Sequence, residues 1–268
     1  MSASQPWTEY MPPFHVCGKL WHVGGVTCPS YLFDTGDGLL LLDTGFAKTG
    51  YFLIQNIHEL GMNPKNIRWI LHSHGHIDHF GCTRALAEMT GAKTCIGEGD
   101  RDYANGKLPL SWAEELGTKY DEPFEPDVLI RDGDVLTFGS VTFRCVSAPG
   151  HTPGVMAYFF NLEENGRTYR GGMHGGVGFN SMAMWFLKKY DLSADCRQQF
   201  LNGLQKLKKE PVDVFVGNHL PNNHSKEKLA KRAQDPAGPN PFVDPGEWLR
   251  FLNETEASFR AFLKQDTN

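Results

Sequence analysis

The sequence contains no apolar run near the roughly 20 residues that a membrane-spanning helix needs. Its longest apolar stretches, 38–43 and 141–146, are strand-length. Nor is there an excess of positive charge: 26 Lys and Arg stand against 31 Asp and Glu, a net charge of −5. That balance excludes a global electrostatic grip on nucleic acid or on an anionic membrane surface. No CxxC pair occurs among the six cysteines, Cys17, Cys28, Cys82, Cys95, Cys145 and Cys196. A chain of 268 residues can build its own core and needs no disulfide framework, so reduced, mostly buried thiols are expected. No GxSxG elbow, P-loop or dinucleotide fingerprint is present, which removes the corresponding catalytic classes. The first residues, MSASQPWTEYMPPF, lack the basic and apolar segments of a secretory signal peptide. A cytoplasmic address is expected, or a periplasmic or secreted one if a leader has been removed.

What is present reads as one globular unit over residues 1–268: 40% of the residues are hydrophobic and 21% charged, enough for a sizeable core. The text between Phe14 and Asp43 alternates strands and turns, with Asp34-Thr35-Gly36-Asp37-Gly38 as a hairpin signal. Helices are expected over 51–60 and 82–89, each followed by a glycine at 61 or 91 that can close them in a left-handed conformation. A short buried strand over 67–71 lies between them. An irregular insertion covers about 101–127, with a helix expected near Trp112–Leu116. Strands follow over 128–130, 135–138 and 141–146, then a hairpin across 163–166. A helix capped by Ser193, a strand over 212–216 and a helix from Lys226 come next. A terminal amphipathic helix covers about 247–264. The order of strands, helix, strand, helix occurs twice. That grammar suits an α+β fold of αββα type, two mixed sheets face to face with helices outside.

The densest chemistry is Leu71-His72-Ser73-His74-Gly75-His76-Ile77-Asp78-His79, four histidines and an aspartate within eight residues, just past the expected strand. On a loop at a strand end, His74 and His76 can converge on one cation, and Asp78 and His79 on a second beside it. Imidazole and carboxylate suit zinc, and iron or manganese accept the same donors.

This segment resembles the HxHxDH motif of the metallo-β-lactamase superfamily. Two further stretches resemble that family in the right order: Ala148-Pro149-Gly150-His151-Thr152-Pro153-Gly154, and Asp213-Val214-Phe215-Val216-Gly217-Asn218-His219. The resemblance covers about 13–232 and is nearest to class B β-lactamases of subclass 3. It implies two Zn²⁺ ions, one on His74, His76 and His151, the other on Asp78, His79 and His219. Asp43 resembles the aspartate that orients ligand imidazoles from behind. The implied activity is opening of a cyclic amide, a β-lactam, by a hydroxide bridging the metals and oriented by Asp78. A same-fold hydrolase of a lactone, ester or other small carbonyl substrate is the alternative. The implied partner is a small-molecule substrate, with no nucleic acid and no membrane.

One segment departs from the family. Tyr169-Arg170-Gly171-Gly172-Met173-His174-Gly175-Gly176 offers neither the bridging Asp of glyoxalase II and RNase Z nor the Cys of other lactamase subclasses. His174 is expected to line the substrate pocket as a hydrogen-bond donor or proton shuttle, and Trp112, Tyr120 and Phe124 are candidates for an aromatic lid.

Overall fold

Leu39–Leu42 is a run of four leucines, all buried, and a strand of that kind needs cover on both faces. The computed structural model describes residues 5–119 and 122–266, and it supplies that cover. A seven-stranded sheet runs in sequence order through β1 (Phe14–Cys17), β2 (Leu20–His22), β3 (Tyr31–Asp34), β4 (Leu39–Leu42), β5 (Ile67–Leu71), β6 (Lys93–Gly97) and β7 (Val128–Ile130). The first four strands pair antiparallel and β4 to β7 pair parallel. A second sheet of five strands holds β8 (Val135–Phe138), β9 (Val141–Ser147), β10 (Met156–Glu164), β11 (Arg167–Met173) and β12 (Val214–Phe215). It is antiparallel except where β12 runs parallel to β11.

Side-chain alternation along the strands builds the layers. Phe33, Leu40 and Leu42 point between the sheets, where Phe143, Tyr158 and Phe160 meet them. Leu32, Leu39 and Leu41 point the other way, toward the helices α1 (Gly50–Glu59) and, beyond α2 (Ile77–Phe80), α3 (Thr83–Thr90). After the short α4 (Arg101–Ala104) and α5 (Met184–Lys189), α6 (Asp195–Leu207) and, past α7 (Ser225–Gln234), α8 (Glu247–Gln265) cover the second sheet. Ala157 and Phe159 meet Phe200, Leu204, Trp248 and Phe259 there. Each fully buried Leu or Phe contributes about 1.5–3 kcal/mol of transfer free energy, so both outer layers are held strongly. This is the αββα arrangement that the sequence grammar predicts.

Local signals behave largely as expected. Gly91 closes α3 at φ +74, and Ser193 Oγ accepts from Asp195 N at 3.1 Å ahead of α6. The helix expected near Trp112–Leu116 is not there. Leu116 N reaches Trp112 O at 3.2 Å, but Trp112 sits at φ +67. A left-handed residue cannot start a right-handed helix, so the segment stops at a turn.

The fold brings several strand ends to one edge. The C-terminal ends of β4, β5, β9, β11 and β12 and the N-terminal end of β10 lie together, as their pairing dictates. Met156 N donates to Ser73 O at 3.0 Å and Tyr158 OH to His72 O at 2.6 Å, fastening one sheet to the other at this edge.

Candidate metal centre

The loop leaving β5 carries His74 and His76, and the single turn of α2 carries Asp78 and His79. His151 comes from the loop between β9 and β10, and His219 from the segment after β12. The structure gathers these six into two donor clusters.

In the first, His74, His76 and His151 each offer a ring nitrogen, all within 4.8 Å of one another. The Nε2 atoms of His74 and His151 face each other at 3.2 Å. His151 Nδ1 donates to Gly178 O at 2.8 Å, which leaves its Nε2 as the lone-pair nitrogen. Burial first, and the neighbouring histidines second, hold His74 and His76 well below the usual imidazole range. Burial also brings His151 down to about 4. Three neutral imidazoles converging without a counter-charge are in the protonation state that metal binding requires.

The second cluster contains Asp78, His79 and His219. His79 Nδ1 donates to Asp43 Oδ2 at 2.9 Å, so Nε2 points into the cluster, 3.5 Å from Asp78 Oδ2. That Nε2 is fully buried with no hydrogen-bond partner, a state that costs free energy unless something accepts its lone pair. His219 Nδ1 donates to Thr27 O at 3.1 Å. Burial opposes the charge on both Asp78 and His79. Even so, the surrounding histidines pull Asp78 below the usual carboxylate range, and Asp78 and Asp43 lift His79 above its usual value. The donor set and the orphaned His79 nitrogen both fit a cation.

Asp43 sits at φ +61 beyond β4, a conformation Asp tolerates better than most residues. Its carboxylate accepts from Ser73 N at 2.7 Å and Ser73 Oγ at 2.6 Å besides His79. It thus orients one imidazole and pins the start of the histidine loop.

Two residues of the site escape sequence reasoning. Asp100, fully buried, accepts from Gly75 N (2.6 Å), Thr152 Oγ1 (2.6 Å) and Gly154 N (2.7 Å). It ties the loop of His74 and His76 to the loop of His151. Burial pushes its carboxyl up to about 6 despite those three donors. The available signal was Gly97-Glu98-Gly99-Asp100: a Cβ on Gly97 would lie 2.0 Å from Gly154 O, so the glycines let the segment bearing Asp100 lie against the loop of His151. The other is Cys28, whose Sγ lies 3.1 Å from Asp78 Oδ2. Nothing local to Cys28 signals that contact.

His174 departs from expectation. It is buried, accepts from Gly176 N at 3.2 Å through Nδ1, and lies 6.1 Å from the Phe200 ring. It lines neither cavity at the site, and burial brings it down to about 3. The glycines around it make room for protein: a Cβ on Gly176 would stand 2.7 Å from His151 Cδ2, and one on Gly178 2.9 Å from His151 Cε1.

Above the clusters lies a cavity of about 220 Å³, lined by His76, Asp78, His151 and His219 together with Glu9, Thr27, Phe46, Trp112, Leu116 and Asn180. A second, of about 300 Å³, shares His76 and His151 and extends over Tyr103, Leu110, Phe186 and Leu187. Neither is lined by Lys or Arg among the described residues. Trp112 lies 5.7 Å from His76 and is part of the wall. Phe124 instead packs against His72 and Phe80, and Tyr120 lies outside the described residues.

A family model described as the metallo-beta-lactamase superfamily matches residues 23–164, more than half of the chain. Among solved structures, the fold is similar to BJP-1, a subclass B3 metallo-beta-lactamase of Bradyrhizobium japonicum. The TM-score is 0.88 at 25% identity, covering 99% of this chain and 98% of that one. It is similar also to the metallo-beta-lactamase GOB-18 of Elizabethkingia meningoseptica, with TM-score 0.84, 26% identity and coverage of 99% and 97%. A hydroxyacylglutathione hydrolase GloC of Haemophilus influenzae is 30% identical over 56% of this chain and 68% of its own length. Several other curated relatives are spanned over less than half their length, a beta-lactamase hydrolase-like protein of Xylella fastidiosa over 23%.

Proposed function

Because the chain belongs to the metallo-β-lactamase superfamily, we propose that it is a dizinc hydrolase that opens a small cyclic carbonyl substrate, with a β-lactam as the first reading. The observation that carries this reading is the convergence of two donor clusters beneath one cavity at a single sheet edge. The subclass B3 neighbour, similar over nearly its whole length, supports the β-lactam.

His74, His76 and His151 would hold one ion, and Asp78, His79 and His219 the other; iron or manganese suits the same donors. When bound, the pair supplies Lewis acidity toward a carbonyl and a water acidic enough to attack at neutral pH. The protein's own contributions are orientation and exclusion of water. Asp78, partly exposed to the cavity, can hold a proton of the attacking water. Asp43 keeps His79 in one tautomer, and Asp100 fixes the spacing of the three histidines of the first cluster. Trp112, Phe46 and Leu116 wall the reacting centre from bulk water. The six cysteines, all unpaired and five of them buried, fit a reducing compartment. No helix among the described residues is long and apolar enough to cross a membrane.

A second reading, a lactone, ester or thioester substrate, is favoured by the cavity walls. Penicillins, cephalosporins and carbapenems carry a carboxylate, yet no Lys or Arg lines either cavity among the described residues, and Glu9 does. The hydroxyacylglutathione hydrolase among the relatives points in the same direction.

The test is turnover by zinc-loaded protein of a chromogenic cephalosporin, a carbapenem, a neutral lactone and a thioester, each with a chelated control. Chelator-sensitive lactam opening with kcat/KM above about 10⁴ M⁻¹s⁻¹ supports the first reading. Lactone or thioester turnover at that level, with only trace lactam opening, supports the second. No chelator-sensitive turnover of any of the four contradicts both.

A further inference from the structure

Cys28 lies on the loop between β2 and β3 and is 4% exposed. Its thiol donates to Asp78 Oδ2 at 3.1 Å, and its sulfur is 3.8 Å from His219 Nδ1, the ring nitrogen that faces Thr27 O. It lies within 4.8 Å of one donor atom from each of Asp78, His79 and His219. Resting on the dinuclear reading above, we propose that Cys28 is a thiolate ligand of the second ion, which then has a Cys, Asp, His, His donor set.

The geometry has the right scale. A tetrahedral site with a metal–sulfur bond of ~2.3 Å and metal–nitrogen or metal–oxygen bonds of ~2.0–2.2 Å has edges of about 3.3–3.6 Å between nitrogen and oxygen donors and about 3.5–3.7 Å to sulfur. Asp78 Oδ2 to His79 Nε2, 3.5 Å, matches such an edge. Sγ to Asp78 Oδ2, 3.1 Å as a thiol hydrogen bond, is about half an ångström short of the sulfur edge, a separation an ion between them would open. An independent observation marks the same point: His79 Nε2 is buried, partnerless and aimed into this cluster.

The sulfur is also held in place. Thr27, next to Cys28, accepts through its carbonyl from His219 Nδ1 at 3.1 Å and from Leu220 N at 3.3 Å, and its N–H donates to Glu9 Oε2 at 3.0 Å. Cys28 O accepts from Gly25 N at 3.2 Å. The loop bearing the thiol is therefore fastened directly to a second donor of the same cluster.

On binding, the S–H bond breaks, its proton passes to solvent, and the sulfur lone pair forms the metal–sulfur bond; no redox change occurs. A thiolate biases the second position toward borderline and soft ions such as zinc and cobalt and against manganese. It also fills a coordination position at that ion that three ligands would leave open.

Cobalt(II) substitution tests this without reference to turnover. The chain is loaded with two equivalents of cobalt, bound metal is counted, and the near-ultraviolet thiolate-to-cobalt charge-transfer band is recorded for wild type, Cys28→Ser and Cys28→Ala. The expected result is two bound ions, the band in wild type, its loss in both variants, and a second-ion affinity lowered about tenfold or more. Two bound cobalt ions without the band in wild type overturn the thiolate assignment alone, and so does a band that persists in Cys28→Ser. Fewer than two bound ions in wild type overturn the dinuclear reading and the assignment with it. The wild-type spectrum decides even if a variant fails to fold.

Discussion

In the first donor cluster three imidazoles meet with no carboxylate among them. In the second, the His79 imidazole lies between two, Asp78 and Asp43. The first is positioned from outside, by Asp100 bridging its two loops; the second is positioned from behind, by Asp43 on a ring nitrogen. The electrostatic result is opposite. Burial leaves the first set neutral, whereas the carboxylates raise His79 despite burial. One cluster is a pocket of lone pairs and the other a negatively charged seat, so they should hold their ions with different strengths and fail under different substitutions.

The largest effect should come from His76→Ala. Losing a ligand of the neutral cluster removes several kcal/mol of transition-state stabilisation, about a thousandfold or more in kcat/KM. Bound zinc should fall toward one per chain with the circular dichroism spectrum unchanged; wild-type turnover would refute the ligand assignment. Asp43→Asn should act on the other cluster. An amide offers one acceptor oxygen where three donors are held, so second-ion affinity should drop about 10–100-fold, with a smaller loss at the first ion, because Asp43 also holds Ser73, whose Oγ lies 3.1 Å from His74 Nδ1. Equal weakening of both ions would erase the distinction between the clusters.

Asp100 sharpens the comparison through pH. Its folded carboxyl is raised to about 6 from 3.8, so folding favours the neutral acid. Its contribution is therefore fully present below about pH 4 and is lost as pH rises through 6, to the extent of about 3 kcal/mol. Relative to Asp100→Asn, chelated wild type should lose about that much unfolding free energy between pH 4 and pH 7. A pH-independent difference between the two would contradict this. The smallest effect is expected for Glu9→Gln, which removes a negative charge from the cavity wall. KM for carboxylate-bearing lactams should fall by about three- to tenfold, on the order of 1 kcal/mol, with KM for a neutral lactone unchanged. No change for either substrate would free Glu9 of any part in specificity.

These residues also show how far the sequence could be read. The hairpin at Asp34–Gly38, the strand ending at His72 and the glycine stop at Gly91 are set by a few neighbouring residues, and local rules reach them. The His74–His79 segment was legible for the same reason: most of its chemistry is contiguous. Cys28 and Asp100 were not, because each acts across the fold. Cys28 is 50 positions from Asp78, and Asp100 is 52 from Thr152; neither separation leaves a periodicity or a motif. The helix expected near Trp112–Leu116 fails for another reason: Trp112 takes a left-handed backbone at φ +67, which no local residue pattern announces. His174 misled because a glycine-flanked histidine reads as access to ligand, whereas the glycines admit the His151 imidazole.

The most direct test of the dinuclear centre is a zinc titration of the chelated protein followed by metal counting. Two ions per chain in wild type are predicted, bound in two steps of unequal affinity, with His76→Ala and His79→Ala each retaining one, from opposite clusters. A single ion per chain in wild type, or none, would contradict the account.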